Sequence, residues 1–320
     1  TYVYMCIRRP DGYVGKPPEL GTDVFAMDTG NGNSTIPVFD SGFPVDFALD
    51  KKTALTSNWE VASRLTQGKY SYTNLDSAEL TFADFAYDSN AGWNSHNGYD
   101  ANWLSWMWKR HAGFDVICYE GNGVAGHQIP HSLSKSPEMI WTKNRDDSDS
   151  WLVGHKGLGG GTNPWHKYMV LNSNQAELDA NTIWNDTAPT ATHFTVGTTD
   201  NHNYNGHNVI AMLFSSVSGI SKVDGYDGDT NAQDKTISCG FQPRFVIAKC
   251  STVGGSYNHW FVFYSLRGAG SGNDKTLRLD VDEAQTTNQD IIEFTSNGFI
   301  VKAGYQLNEG SRKYIYYAHA

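Results

Sequence analysis

Cysteine is scarce: four residues in 320, at Cys6, Cys118, Cys239 and Cys250. None forms a CxxC pair and none stands at a zinc-like spacing from histidine, so four unpaired thiols are expected. Three lie in apolar, strand-like runs, where a free thiol behaves as a small hydrophobe. Charge is thin as well, at 18% of residues, and it leans acidic, with a net charge of −10. That balance argues against a nucleic-acid partner, whose phosphates demand a basic footprint. No run approaches the roughly 18 apolar residues that a membrane-crossing helix needs, so membrane insertion is not expected. Uninterrupted helical stretches are missing too, because glycine breaks each one before a helix can nucleate.

What the chain has instead is glycine (32 residues) and aromatics (13%), together with frequent Asn, Asp, Thr and Ser. Aromatic and β-branched side chains fit pleated surfaces, while Gly and Asn supply the positive φ of tight turns. The mixture predicts an all-β protein of short strands and many turns.

Self-comparison shows a repeat. TYVYMCIRR (1–9), NWLSWMWKR (102–110), NVIAMLFSS (208–216) and KYIYYAHA (313–320) share one period-two pattern. One face carries Val3, Met5 and Ile7, then Leu104, Trp106 and Trp108, then Ile210, Met212 and Phe214, then Ile315 and Tyr317. Period two means a strand with one face in a core. Other stations recur in fixed order. A strand ends in FAMDTGNG, ICYEGNG or VDGYDGD; a proline-bearing entry follows in SGFPVDFALDK, HSLSKSPEMIWTKN or CGFQPRFVIAKC. A tryptophan then opens the next strand (Trp59, Trp151, Trp260), and a later strand turns into TNLDSAE, LNSNQAE or LDVDEAQ. Several stations in one order, three times over, make a tandem array.

The boundaries that follow are 1–9, the closing strand of a preceding repeat, and 10–22, a Pro/Gly-rich linker. Repeats then span 23–113, 114–219 and 220–320. Each is close to the ~100 residues of a β-sandwich. The fold expected is a tandem array of three antiparallel β-sandwiches in a row, of jelly-roll or lectin-like kind. Residues 1–9, surplus to the first repeat, are expected to be paired and to belong to an earlier copy upstream.

The run FDVICYEGNG…HSLSKSPEMIWTKNR…WLVGHKGL…LN, followed by WNDTAPT, F-x-V-G and an apolar closing strand, resembles the tandem β-sandwich repeats of phage tail-fibre and related virion proteins. These are common in marine and cyanobacterial phages. The likeness is best over 114–219, good over 220–320 and looser over 23–113. It implies a virion surface appendage or adhesin, located extracellularly, with no catalytic residue to transfer. It also implies self-association, as a trimer, with other virion proteins and a host surface receptor as partners.

The candidate chemistry is modest. Asn74/Asp76, Asn172/Asn174 and Asp280/Asp282 sit two apart in turns, as does the acidic stretch Asp224–Asn231. Calcium is the one cofactor such oxygens allow, but turn-shaping by the side chains themselves accounts for them and no metal ligand is assigned. The histidines of the middle repeat lack metal spacing and are expected on surfaces and turns. A laminarinase-like ExDxxE strand and a GxSxG elbow are both absent, so no catalytic residue is assigned and a polysaccharide depolymerase ranks third. Glycan binding needs only exposed rings and hydrogen-bonding neighbours. The residues proposed for it are Trp93, Tyr99, Trp165, His166 and Tyr257, the aromatics of turns that differ between repeats. The recurrent Trp59, Trp151 and Trp260 are expected in the core. A purely structural module without a ligand is the alternative.

Overall fold

The structure is a computed structural model that describes residue 18 and residues 20–32, 35–95, 100–255, 258–270 and 272–320. The opening strand 1–9 and most of the linker lie outside the described residues, as do Tyr99 and Tyr257.

The chain is all-β, with several antiparallel sheets and, among the described residues, only single-turn helices. Strands β1 (Phe25–Thr29), β2 (Phe39–Asp40), β3 (Phe47–Lys52) and β4 (Glu60–Ser63) come first. They are followed by β5 (Lys69–Tyr72), β6 (Leu80–Thr81), β7 (Gly92–Trp93) and β8 (Trp103–Trp108). The next set is β9 (Phe114–Glu120), β10 (His127–Pro130), β11 (Met139–Asn144) and β12 (Leu152–His155). It continues with β13 (Lys167–Val170), β14 (Leu178–Asp179), β15 (His193–Val196) and β16 (Asn208–Phe214). The last set opens with β17 (Ser221–Asp227), β18 (Lys235–Ser238), β19 (Phe245–Cys250), β20 (Phe261–Tyr264) and β21 (Asp274–Arg278). It ends with β22 (Thr286–Gln289), β23 (Ile292–Thr295), β24 (Gly298–Val301) and β25 (Lys313–His319).

Among the described residues three six-stranded sheets form, ordered β1-β8-β3-β4-β5-β6, β9-β16-β11-β12-β13-β14 and β17-β25-β19-β20-β21-β22. Strand for strand these are the same order. Each has a small companion sheet: β2-β7, β10-β15 and β18-β24-β23.

The sheets do not stand in a row as separate bodies. Their inner faces meet in one cluster that draws on all three: Phe47, Leu49 and Trp106 from the first, Trp141, Met212 and Phe214 from the second, Ile247 and Tyr317 from the third. Ring contacts cross between sheets, as in Phe47–Phe114 at 5.5 Å, Phe214–Tyr317 at 4.9 Å and Trp108–Phe245 at 5.4 Å. The outer faces are buried separately, each under its companion sheet. Met107 of β8, for instance, turns outward to pack with Phe39 and Trp93. Strands β8 and β16 are buried on both faces, so apolar residues fill the second face as well as the one that alternates into the common core.

The seams between sheets are closed cyclically. Trp59, Trp151 and Trp260 each stand just before the fourth strand of a six-stranded sheet and are fully buried. Their indole N–H groups reach across to backbone carbonyls of another sheet: Trp59 to Arg278 (2.8 Å), Trp151 to Tyr72 (2.8 Å) and Trp260 to Val170 (3.0 Å). Backbone bonds follow the same circuit, from Glu79 N to Arg145 O, Glu177 N to Ser251 O and Gln285 N to Thr53 O. A bidentate Arg145–Glu79 pair, both bonds 2.8 Å, clamps the first of these seams.

On the inner faces of β3, β11 and β19, two residues beyond Leu49, Trp141 and Ile247, stand Lys51, Lys143 and Lys249, all buried. Each ammonium donates to backbone carbonyls, those of Ser57 and Asp282, of Asn144 and Asp147, and of Asn174, Cys250 and Asn258. Burial pulls each of the three down to about 8, against the partial support of nearby carboxylates. The unfolded chain then holds these protons to higher pH than the folded one, so stability must rise with pH between those values. Going from about pH 7.5 to about pH 9 should add roughly 1 kcal/mol per lysine. Denaturant midpoints at the two pH values check this; a lower midpoint at the higher pH contradicts it.

Candidate functional site

The connection between fourth and fifth strands differs in length among the three sets. It spans residues 64–68 in the first, 265–273 in the third and 156–166 in the second. The longest, KGLGGGTNPWH, is built on left-handed backbone: Gly159, Gly160 and Gly161 have φ of 61°, 64° and 82°, and Asn163 has φ of 45°. Glycine adopts that region without the Cβ clash that other residues meet. The turn sends the loop over the edge of the third sheet.

Its anchor is His155, the last residue of β12 and fully buried. Its Nδ1 accepts the Gly157 N–H at 2.9 Å and its Nε2 donates to the Tyr316 carbonyl in β25 at 3.2 Å. Burial drives this imidazole down to about 4, so it is neutral at physiological pH. Close approach depends on bare backbone: a Cβ on Gly157 would meet Ile315 at 3.0 Å, and one on Gly160 would meet the Lys313 stem at 2.8 Å.

Between loop and sheet lies a cleft of ≈ 290 Å³, lined by Lys156, three loop glycines, the edge strand from Asp224 to Asp227, Lys313 and Tyr314. Every charged side chain on its wall is paired: Lys156 with Glu138 (2.9 Å), Asp224 with Lys222 (3.0 Å), Asp227 with Lys313 (2.9 Å). Burial pushes the Asp224 carboxyl up, but Lys222 and the Gly225 N–H outweigh it and hold it below the usual range. The rings of Tyr226 and Tyr314 stack at 5.0 Å, 14° from parallel, on the same strands.

The aromatics singled out in the sequence fall elsewhere. Trp93 is not a surface platform: it is wholly buried, donates to Ser105 Oγ at 2.9 Å and stacks with Tyr87 and Phe39. Trp165 is also core, at 7% exposure, edge-on to Trp184 at 5.9 Å. Turn position suggested exposure for both, yet each is needed to fill the space beneath its companion sheet. His166 is half-exposed, its Nδ1 3.8 Å from Asp186. Trp93 and Trp165 lie in different clusters, so they do not converge on one surface.

The Asx pairs have turn duties. Asn74, Asn172 and Asp280 accept the backbone N–H of Trp59, Trp151 and Trp260 at 2.9–3.0 Å, setting the seam tryptophans in place. In the acidic stretch, Asp229 accepts the Asn231 N–H at 2.7 Å while Asp224 and Asp227 hold lysines. Among the described residues no group of three or more His, Cys, Asp or Glu is arranged to hold a metal. Two middle-set histidines expected on surfaces are instead buried, His155 as above and His202 bonded to Thr142 and the Ile183 carbonyl. The cleft itself was not foreseen. Its one sequence signal was the GLGGG loop, present in the second set alone.

No curated protein and no solved structure matches the chain. A family model does, over residues 64–320, from the end of β4 through β25. The chain therefore belongs to the family described as a domain of unknown function, DUF7483.

Proposed function

We propose that the chain is a head module of a phage-type virion appendage, displayed outside the particle, and that it contacts a host surface receptor through the cleft between the 156–161 loop and β17–β25. In this reading the three sets of strands are three β-sandwich repeats, 23–113, 114–219 and 220–320, wrapped about a common core. The single observation that carries the contact site is the cleft. Its loop is longer in this set than the corresponding connection in the other two, and it lines a polar recess with its glycines. Loops on rigid scaffolds are where binding is usually placed. No catalytic step belongs to this reading.

The purely structural alternative gains from one observation, the inward packing of Trp93 and Trp165. The trimer implied by the tail-fibre resemblance stands as part of the proposal, but three sheets already cover one another's inner faces within a single chain. Fluorescently labelled protein incubated with cell envelopes from marine and cyanobacterial hosts tests the proposal. Saturable binding to at least one envelope is expected; none across the panel favours the structural alternative.

A further inference from the structure

We infer that the cleft takes a non-ionic saccharide residue. This rests on the reading of the cleft as the contact site and names the chemistry it recognises.

The argument is one of charge and hydrogen-bond supply. Lys156 and Lys313 face Asp224 and Asp227, so the lining side chains carry no net charge. Each is already in an ion pair of 2.9–3.0 Å. An anionic ligand would have to pull a lysine from its carboxylate, and a cationic one the reverse; separating such a pair forfeits charge-assisted bonds. A hydroxyl avoids that conflict because it donates and accepts at once. A carboxylate has about four lone-pair sites and an ammonium three hydrogens, so both can bind a hydroxyl while keeping their partner. Asp227 and Lys313, adjacent and roughly two-thirds and two-fifths exposed, are the pair best placed for this.

The rest of the wall agrees. Among the lining glycines Gly161 has open space beside its Cα, so a ring can approach the backbone there. At ≈ 290 Å³ the recess sits at the low end of ligand pockets, suited to one small ring with its neighbours outside.

The test uses the full chain against immobilised neutral glycans (glucans, mannans, galactans) and acidic ones (hyaluronate, polygalacturonate, sialylated oligosaccharides), at low and high salt. Neutral glycans should bind, with affinity changing less than about twofold with salt, since no net charge is engaged. Asp227→Trp, at an exposed position, should fill the recess and weaken binding at least about tenfold. Lys313→Gln should weaken it less, and both variants should melt as the parent does. Binding confined to acidic glycans, or neutral binding untouched by Asp227→Trp, overturns the inference. Envelope binding without any glycan binding also overturns it while leaving the receptor-contact reading intact; loss of both overturns both.

Discussion

Lowering the pH from about 7 to about 4.5 is expected to cost the protein several kcal/mol of stability, a large part of the ~5–15 kcal/mol available to a folded domain. The cause is a set of buried neutral histidines. His155 and His319 are driven by burial down to about 4 and His202 to about 3, and His111 is also pushed well below 6.5. The unfolded chain binds these protons near 6.5, the folded chain only well below. Stability from these groups is therefore full above about pH 6.5 and drains away as pH falls toward 4. Each of the three valued histidines loses roughly 2.5 kcal/mol by about pH 4.5. Asp274 works the other way: burial raises its carboxyl to about 6, so it returns roughly 2 kcal/mol over the same range. Urea midpoints at intervals between about pH 7 and pH 4.5 measure the sum. A flat profile contradicts the burial of these rings.

The second large effect concerns the seam tryptophans. Trp59→Ala, Trp151→Ala and Trp260→Ala should each cost about 3–5 kcal/mol, because a fully buried indole leaves a cavity on removal. Each also orphans a carbonyl of another sheet, that of Arg278, Tyr72 or Val170. The Phe variants keep most of the volume and lose the hydrogen bond, so they should cost about 1–2 kcal/mol. Since the three sites are equivalent, the three losses should agree to within about 1 kcal/mol. A tryptophan whose loss is near neutral would mark a seam that is not closed as described.

Much of the fold was legible in the sequence. Leu104, Trp106 and Trp108, with their counterparts in β16 and β25, alternate onto one face and do line the common core. The repeated tryptophan before each fourth strand marked a buried anchor. What could not be read was the partner of each face. Period two says that a face is covered, not whether its cover is a companion sheet or two other six-stranded sheets. Trp93 and Trp165 show the same limit, since an aromatic in a variable turn looks identical whether it points out or in. The cleft was illegible for a further reason: the GLGGG loop gains its meaning from β17 and Lys313, remote in sequence and adjacent only after the three sheets close.

Differential scanning calorimetry of the parent chain and of Trp260→Ala tests that closure most directly. One core shared by three sheets predicts a single transition, with calorimetric and van't Hoff enthalpies equal. The variant should shift that whole transition downward. Three resolvable transitions in the parent, or a variant that lowers one of them and leaves the others in place, would mean three independently folded units and would contradict the account.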